Sequence, residues 1–410
     1  MENAARRLDP ARQAEPAEPA DKPHPLAGLR VLDLSRFIAG PFAGRLLADL
    51  GADVVKVEPP SGDVTRLFGV VRNGLSGLYV QQNAGKRNIC VDLKQPGGVE
   101  LVANLAASAD AVIENFRPGV LDKLGLGYES LAERSPKLIM LSISGFGQDG
   151  PEANRQAYAP IIHAESGWIG RIGEMQGTPL RDSVMSFADS IAGLHGLIAL
   201  LAALHLRTRS GRGQRLDISM LDCWLATDDY LHYLLDGAAA PVYQGGEVWN
   251  APGGPLMLNR TLPHVWKLLR DTYGLAAAEP ADADRAGKER ARRDAIQRWI
   301  DSHPTRDELK RALEKADLAW GEVRTSQNLL DSPTVSARGL TALVDDGAAG
   351  YRLVVQSPYR FSEARSGVRG GAPQLGEHNA EVLEAWAGLS AAEIERLTSA
   401  RVLSAGATGE

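Results

Sequence analysis

Cysteine is nearly absent. Cys90 and Cys223 are the only two in 410 residues, and they lie outside any CxxC pattern. That argues against a disulfide framework and against a thiolate zinc site, and it fits a reducing cytoplasm. Histidine is sparse as well. The eight histidines form no HxxxH or HxH pair and have no acidic cluster beside them, so no metal site is expected. Positive charge is not in excess: the formal net charge is −6, which speaks against a nucleic-acid partner. The opening "MENAARRLDPARQAEPAEPADKPHP" lacks the apolar stretch of a signal peptide. Its Ala, Pro and charged residues predict a disordered tail over residues 1–26. There is no GxSxG nucleophile elbow and no internal repeat.

What is present is an ordinary globular composition, 44% hydrophobic and 23% charged, with enough chain for a large core. "LRVLDLSRF", "DVVKVEPP", "RNICVDLK", "AVIENF" and "KLIMLSIS" read as strands. "GPFAGRLLADLGA", "GGVELVANLAASA" and "LDKLGLGYESLAERS" read as the helices between them. Strands alternating with helices predict an α/β domain with a mostly parallel sheet. After residue 236 the chain turns Gly- and Pro-rich, then mostly helical and charged over 262–331. Strand-like "LTALVDD" and "YRLVVQSPYRFS" and a helical end follow.

One segment stands apart. "VMSFADSIAGLHGLIALLAALHLR" (184–207) is apolar except for Asp189, Ser190, His195 and His205. It approaches transmembrane length, but its histidines and glycines and the polar turn after it predict a buried helix rather than a membrane span. A charge at the start of such a helix is paired, capping or working. Asp189 is read either as an N-cap or first-turn acid favoured by the helix dipole, or as a nucleophile walled by Phe187, Ile191 and glycines. "GFGQDG" (145–150) matches GxGxxG, yet Pro151 and a polar run follow where a dinucleotide site needs a helix, so it is read as a turn. His163 and His195 are taken as core histidines.

From about residue 26 onward the chain resembles the class III CoA-transferase family, the formyl-CoA transferase and carnitine CoA-transferase group. The resemblance is carried in order by "LAGLRVLDLSRFIAGPFAGRLLADLGADVVKVEPPSGD", "NAGKRNICVDLKQPGG", "VIENFRPGVLDKLGLGYESL", "LIMLSISGFGQDGP", "FADSIAGLHGLIALLAALHLRTRSGRGQRLDISMLD" and "APQLGEHNAEVL". It implies that Asp189, in "ADSIAG", is the catalytic nucleophile. Its carboxylate would take the acyl group from an acyl-CoA as a mixed anhydride, then become an aspartyl-CoA thioester that an acceptor carboxylic acid attacks. Coenzyme A is thus implied as co-substrate, and an acyl-CoA and a carboxylic acid as small-molecule partners.

The resemblance further places Phe37, Ala39, Val91, Lys94, Asn115, Phe116 and Lys123 along the CoA site. Lys94 and Lys123 are suited to pair phosphates. Ile38, Tyr158, Gly245 and Gly246 fall on substrate-facing positions. Ile38 stands where formyl-CoA transferase has a glutamine, Pro59 and Gln156 replace basic residues, and Ala159 stands where many relatives carry an acid. Ile38 and the Tyr–Ala–Pro segment imply a less polar acyl pocket.

The implied architecture is a large Rossmann-like α/β domain from the N-terminal half plus the C-terminal end, a smaller middle domain, and two chains threaded as an interlocked, ring-like homodimer. The expected boundaries are 27–224 for the large CoA-binding domain, 225–260 for a linker with a glycine loop and 261–335 for the small domain. Residues 336–400 return to the large domain and 401–410 form a second tail. A racemase of 2-methylacyl-CoA shares the fold, but it needs a histidine beside the position of Tyr158, and His163 does not match it. A non-catalytic CoA-binding protein is the remaining alternative, against which Asp189 argues. A cytoplasmic enzyme with no membrane partner is expected.

Overall fold

The structure, a computed structural model, describes residues 22–237, 245–278, 284–347 and 350–404. The outer parts of both expected tails, 1–21 and 405–410, and residues 238–244 of the expected linker lie outside the described residues. The chain divides into two compact units, one formed by Met1–His232 with Thr334–Glu410 and the other by Tyr233–Pro333.

In the first unit, strands β1 (Arg30–Asp33), β2 (Asp53–Glu58), β3 (Val71–Arg72), β4 (Leu75–Ser76), β5 (Arg87–Cys90), β6 (Ala111–Glu114), β7 (Ile139–Ser144) and β8 (Gln214–Ser219) follow in order. Six of them form one all-parallel sheet in the order β5-β2-β1-β6-β7-β8, while β3 and β4 make a small antiparallel pair. The two-residue period of a strand sends alternate side chains to opposite faces. Val31, Ala111, Ile113, Ile139 and Leu141 pack against helices Ala39–Asp49, Phe187–Ser210 and Met220–Thr227. Leu32, Val55, Ile89, Val112 and Met140 pack on the other face against helix Gly98–Ala107 and Val382, Leu383 and Trp386 of the C-terminal helix Asn379–Ala387. Both faces are covered, which is why these strands read as nearly continuous apolar runs.

Three local expectations are corrected. "LDKLGLGYESLAERS" is two short helices, Val120–Lys123 and Tyr128–Arg134, because Gly125 takes a positive φ of 74° and ends the first. Residues 22–26 and 401–404, assigned to the tails, are packed: the Leu26 amide donates to the Leu50 carbonyl, and buried Leu403 bridges Val91. Part of the expected linker is regular structure, since Glu247–Trp249 and Leu256–Leu258 join Trp320–Glu322 in a three-stranded antiparallel sheet. That sheet and helices Leu262–Tyr273, Arg285–Asp301 and Arg306–Lys315 enclose a separate core in the second unit.

The long apolar segment is a 24-residue helix, Phe187–Ser210. By length and composition it is the one described helix able to cross a membrane. In the fold, its stripe Ala188, Ala192, Gly193, Gly196, Leu197, Leu200 and Ala203 is buried on helix Ala39–Asp49 and the sheet, whereas Leu194, Ile198 and Leu206 are exposed. The crossing with helix Ala39–Asp49 is close because of Gly193. A Cβ there would lie 2.8 Å from the Ala39 carbonyl oxygen, so any side chain forces the two helices apart.

Candidate active site

In an open parallel sheet the ligand crevice lies beyond the carboxyl ends of the strands, where the strand order reverses. Here the reversal is between β1 and β6. The loop after β1 is shaped from below by buried charge. The Lys86 ammonium donates to Asp33 at 2.8 Å, and Lys56 donates to the Ser35 carbonyl at 2.8 Å. Asn115, just past β6, clamps the same loop from the side: its Oδ1 accepts from the Arg36 amide at 2.8 Å and its Nδ2 donates to the Arg36 carbonyl at 2.7 Å. Phe37 is thereby held at φ 63°, a left-handed conformation that costs an ordinary residue about 1–3 kcal/mol. Its ring stacks edge-on against Tyr158 at 5.5 Å.

Two cavities follow from this arrangement. The first, about 250 Å³, is walled by Phe37, Ala39, Asn115, Phe116, Tyr158 and Asp189, with Arg36, Arg117, Ser144, Arg155 and Met220. The second, about 190 Å³, is largely apolar and is lined by Val91, Lys94 and Phe116, with Pro59, Leu121, Leu124 and Leu126. Arg36 and Phe116 line both, the guanidinium 5.4 Å from the ring centroid. The two cavities therefore run along the carboxyl edge of the sheet on either side of the reversal.

Asp189 is not an N-cap. Ser186 occupies that position, and Asp189 lies in the first turn. Its carboxylate is partly buried and lies near the backbone amide of Ala39, the first residue of the neighbouring helix, which favours its charged form. That helix has no side-chain cap, so its amide is open to an anion. Burial raises the Asp189 carboxyl to about 6, opposed by the Ala39 amide.

The expected site residues sort unevenly. Phe37, Ala39, Asn115, Phe116, Tyr158 and Asp189 meet in the first cavity, and Val91, Lys94 and Phe116 in the second. Lys123 is exposed on the segment whose leucines line the second cavity but is not itself part of the wall, and Ile38 lines neither cavity. Gly245 and Gly246 belong to the second unit, where a Cβ on Gly246 would lie 2.2 Å from the Leu258 carbonyl oxygen. Two other cations in the same stretch of sequence as Lys94 are occupied within the fold. Lys86 is fully buried on Asp33, and Arg87 pairs with Asp53 and Glu381.

Sequence reasoning missed Arg36 and Ser144. Arg36 makes no ion pair among the described residues, and a basic residue in the loop just after β1 was the available signal. The Ser144 hydroxyl is buried on the first cavity without a protein partner, and only the fold reveals that. Among the described residues no cluster of His, Cys, Asp and Glu has the form of a metal site, and both cysteines are free and buried.

Comparison with known proteins adds a family and a fold. The sequence pattern of CoA-transferase family III matches residues 26–379. The succinate–glutarate CoA-transferase of Agrobacterium fabrum is 36% identical, covering 89% of this chain and 96% of that protein. The succinyl-CoA–L-malate CoA-transferase alpha subunit of Chloroflexus aurantiacus is 31% identical, covering 96% and 99%. A solved CAIB/BAIF family protein from Brucella suis superposes with a TM-score of 0.76 at 33% identity, covering 89% of this chain and all of that one.

The electrostatics of Asp189 make a prediction about stability. Because burial raises its folded-state value, charge on Asp189 disfavours the fold above pH of about 6, and the penalty vanishes below the ordinary carboxylate value of 3.8. Asp189→Asn is expected to stabilise the protein at pH 7.5 by about 1–3 kcal/mol, a range lowered for the partial exposure of the group. The gain should disappear near pH 3.5. Denaturant unfolding of both proteins at the two pH values checks this; an Asn variant less stable at pH 7.5 contradicts it.

Proposed function

The chain belongs to CoA-transferase family III, and from that premise we propose that it moves CoA from an acyl-CoA to a carboxylic acid with Asp189 as covalent nucleophile. The observation that carries the reading is the partly buried Asp189 carboxylate on the wall of a cavity at the sheet's reversal point. A carboxyl raised to about 6 is ionised at neutral pH yet poorly solvated, which suits an attacking anion. An Asp189 oxygen attacks the thioester carbonyl, the C–S bond breaks, and CoA leaves as thiolate from an aspartyl–acyl anhydride. The thiolate then attacks the Asp189 carbonyl and expels the first carboxylate, leaving an aspartyl-CoA thioester. An acceptor carboxylate attacks that thioester, CoA leaves again, and its return to the acceptor carbonyl frees Asp189. Each intermediate is an activated acyl group, so water must be kept out. The nearby Ala39 amide favours negative charge on the Asp189 carboxylate.

CoA fits the paired cavities in one sense: adenine in the apolar second cavity, thioester in the first, and the phosphates near Arg36 and Lys94. The relatives named for succinate, glutarate and malate support a dicarboxylic acid as donor or acceptor, and so do Arg36 and Arg117, which line the same cavity as Asp189. A racemase would need a second acid or base at the substrate. His163 is fully buried and outside both cavities, and Tyr158 is a phenol.

The same reading makes the enzyme an interlocked homodimer of the cytoplasm, acting on small molecules without nucleic acid or membrane. The exposed Leu194, Ile198 and Leu206 on the long helix support a second copy as their cover. The interruption of the α/β unit by Tyr233–Pro333 supports threading.

Three measurements test this reading. Asp189→Asn should lose transfer while retaining CoA binding, and hydroxylamine added after acyl-CoA should modify Asp189 in the wild type. Substantial turnover by the Asn variant, read by mass spectrometry against a panel of dicarboxylic acids, would sink the nucleophile. Lys94→Ala should weaken CoA binding by roughly 1.5–3 kcal/mol, and Lys123→Ala by less, as calorimetry would show; unchanged affinity in Lys94→Ala places the phosphates elsewhere. Light scattering should find a dimer from micromolar down to nanomolar concentration, because threaded chains cannot part without unfolding. A reversible monomer contradicts threading.

A further inference from the structure

His163 is buried completely, yet both ring nitrogens are engaged. Its Nε2 lies 3.2 Å from the backbone amide of Ala188, and its Nδ1 lies 2.7 Å from Oδ1 of Asp182. An amide only donates, so Nε2 must be the acceptor. The neutral ring then carries its proton on Nδ1, directed at the Asp182 carboxylate. Asp182 is held in turn by the Ser183 amide at 2.8 Å. Trp168, Trp224 and Phe187 box the imidazole at centroid distances of 5.3, 5.0 and 6.5 Å.

Ala188 immediately precedes Asp189 in the first turn of helix Phe187–Ser210. The N-cap of that helix, Ser186, makes no side-chain capping bond. The imidazole therefore supplies the acceptor that a capping side chain would otherwise give to one of the open amides of the first turn. His163 also ties that turn to helix Ala159–Glu165, whose N-cap is the cavity-lining Tyr158.

We propose that His163 and Asp182 are positioning residues that lock the first turn of the long helix so that the Asp189 carboxylate is held on the cavity wall. The inference rests on Asp189 as nucleophile. Asp182 acts on His163 by fixing which nitrogen carries the proton, and His163 acts on Asp189 through the adjoining amide. With the proton on Nε2, two donors would face each other across 3.2 Å, and the turn would shift. A displacement of about 1 Å at a reacting group lowers rate by about 10²-fold.

The test uses the full-length protein and three substitutions. Asp182→Asn favours the wrong ring tautomer, His163→Leu removes the acceptor, and His163→Gln restores an acceptor that needs no partner. The first two should lower kcat by about 10²-fold with KM for acyl-CoA changed less than about threefold. His163→Gln should stay within about threefold of wild type, and adding Asp182→Asn to it should have no further effect. A wild-type kcat in Asp182→Asn, or a His163→Gln as slow as His163→Leu, overturns the proposal. Should His163→Leu fail to fold, Asp182→Asn, at a partly exposed position, and His163→Gln decide it.

A readout without turnover is the ¹⁵N spectrum of the histidine-labelled protein, in which His163→Gln identifies the resonance. The wild-type ring should be protonated at Nδ1 and should change in Asp182→Asn; an Nε2-protonated wild-type ring also overturns the proposal. An active Asp189→Asn removes the nucleophile reading but leaves the tautomer result standing, so the two failures are distinguishable.

Discussion

The close crossing of helices Ala39–Asp49 and Phe187–Ser210 is the constraint around which the rest is arranged. It brings the first turns of the two helices together and sets the Asp189 carboxylate near the Ala39 amide. Gly193, one turn beyond Asp189, leaves no side chain between them. The same crossing buries Asp189 enough to raise it to about 6, with the nearby Ala39 amide opposing the rise. A well-solvated carboxylate would be a weaker nucleophile, and a fully buried, unpaired one would be protonated at neutral pH.

The loops that face this contact are held by a layer of buried charge. Lys86 donates to Asp33, the Pro41 carbonyl and Asn83, and Lys56 pairs with Asp63 at 3.2 Å. Glu58 takes two bonds from Arg66 and one each from Tyr79 and Asn88. Burial pushes the Asp33 carboxyl up, but Lys86 and Lys56 outweigh it and hold the group below its ordinary value; burial brings Lys86 down to about 8 against the pull of Asp33. Such pairs add little net stability compared with apolar packing of the same volume. Their directional bonds pin backbone carbonyls at Ser35 and Pro41, on both sides of the strained Phe37. Geometry is what a site of this kind needs from its floor.

Much of this was readable in advance because it depends on local pattern. Five of the six sheet strands and the helices between them follow from apolar runs broken by Gly and Pro, and Asp189 stood out as a lone charge opening an apolar helix. Where reading failed, a local rule met a tertiary demand. Lys86 and Lys94 are both lysines at strand ends in one short stretch, and only the fold sends one into the core and the other to a cavity. Asn115, expected along the CoA site, lines the first cavity, and its carboxamide also clamps the Arg36 backbone, which no local pattern shows. His163 was taken as a core histidine, and it is buried; its two partners lie 19 and 25 residues away, beyond any local pattern.

The sequence by itself therefore determined the element types, the parallel sheet and the family, and singled out Asp189, because periodicity, turn residues and ordered motifs are properties of neighbours along the chain. Tertiary structure decided which cations face a ligand, which nitrogen of His163 carries a proton, and what Asp189 touches. Those depend on the strand order β5-β2-β1-β6-β7-β8, which brings Arg36, Asn115 and Asp189 together from segments about 75 residues apart. Charge and hydrogen bonding act over a few ångströms of space, and separation along the chain does not measure that distance.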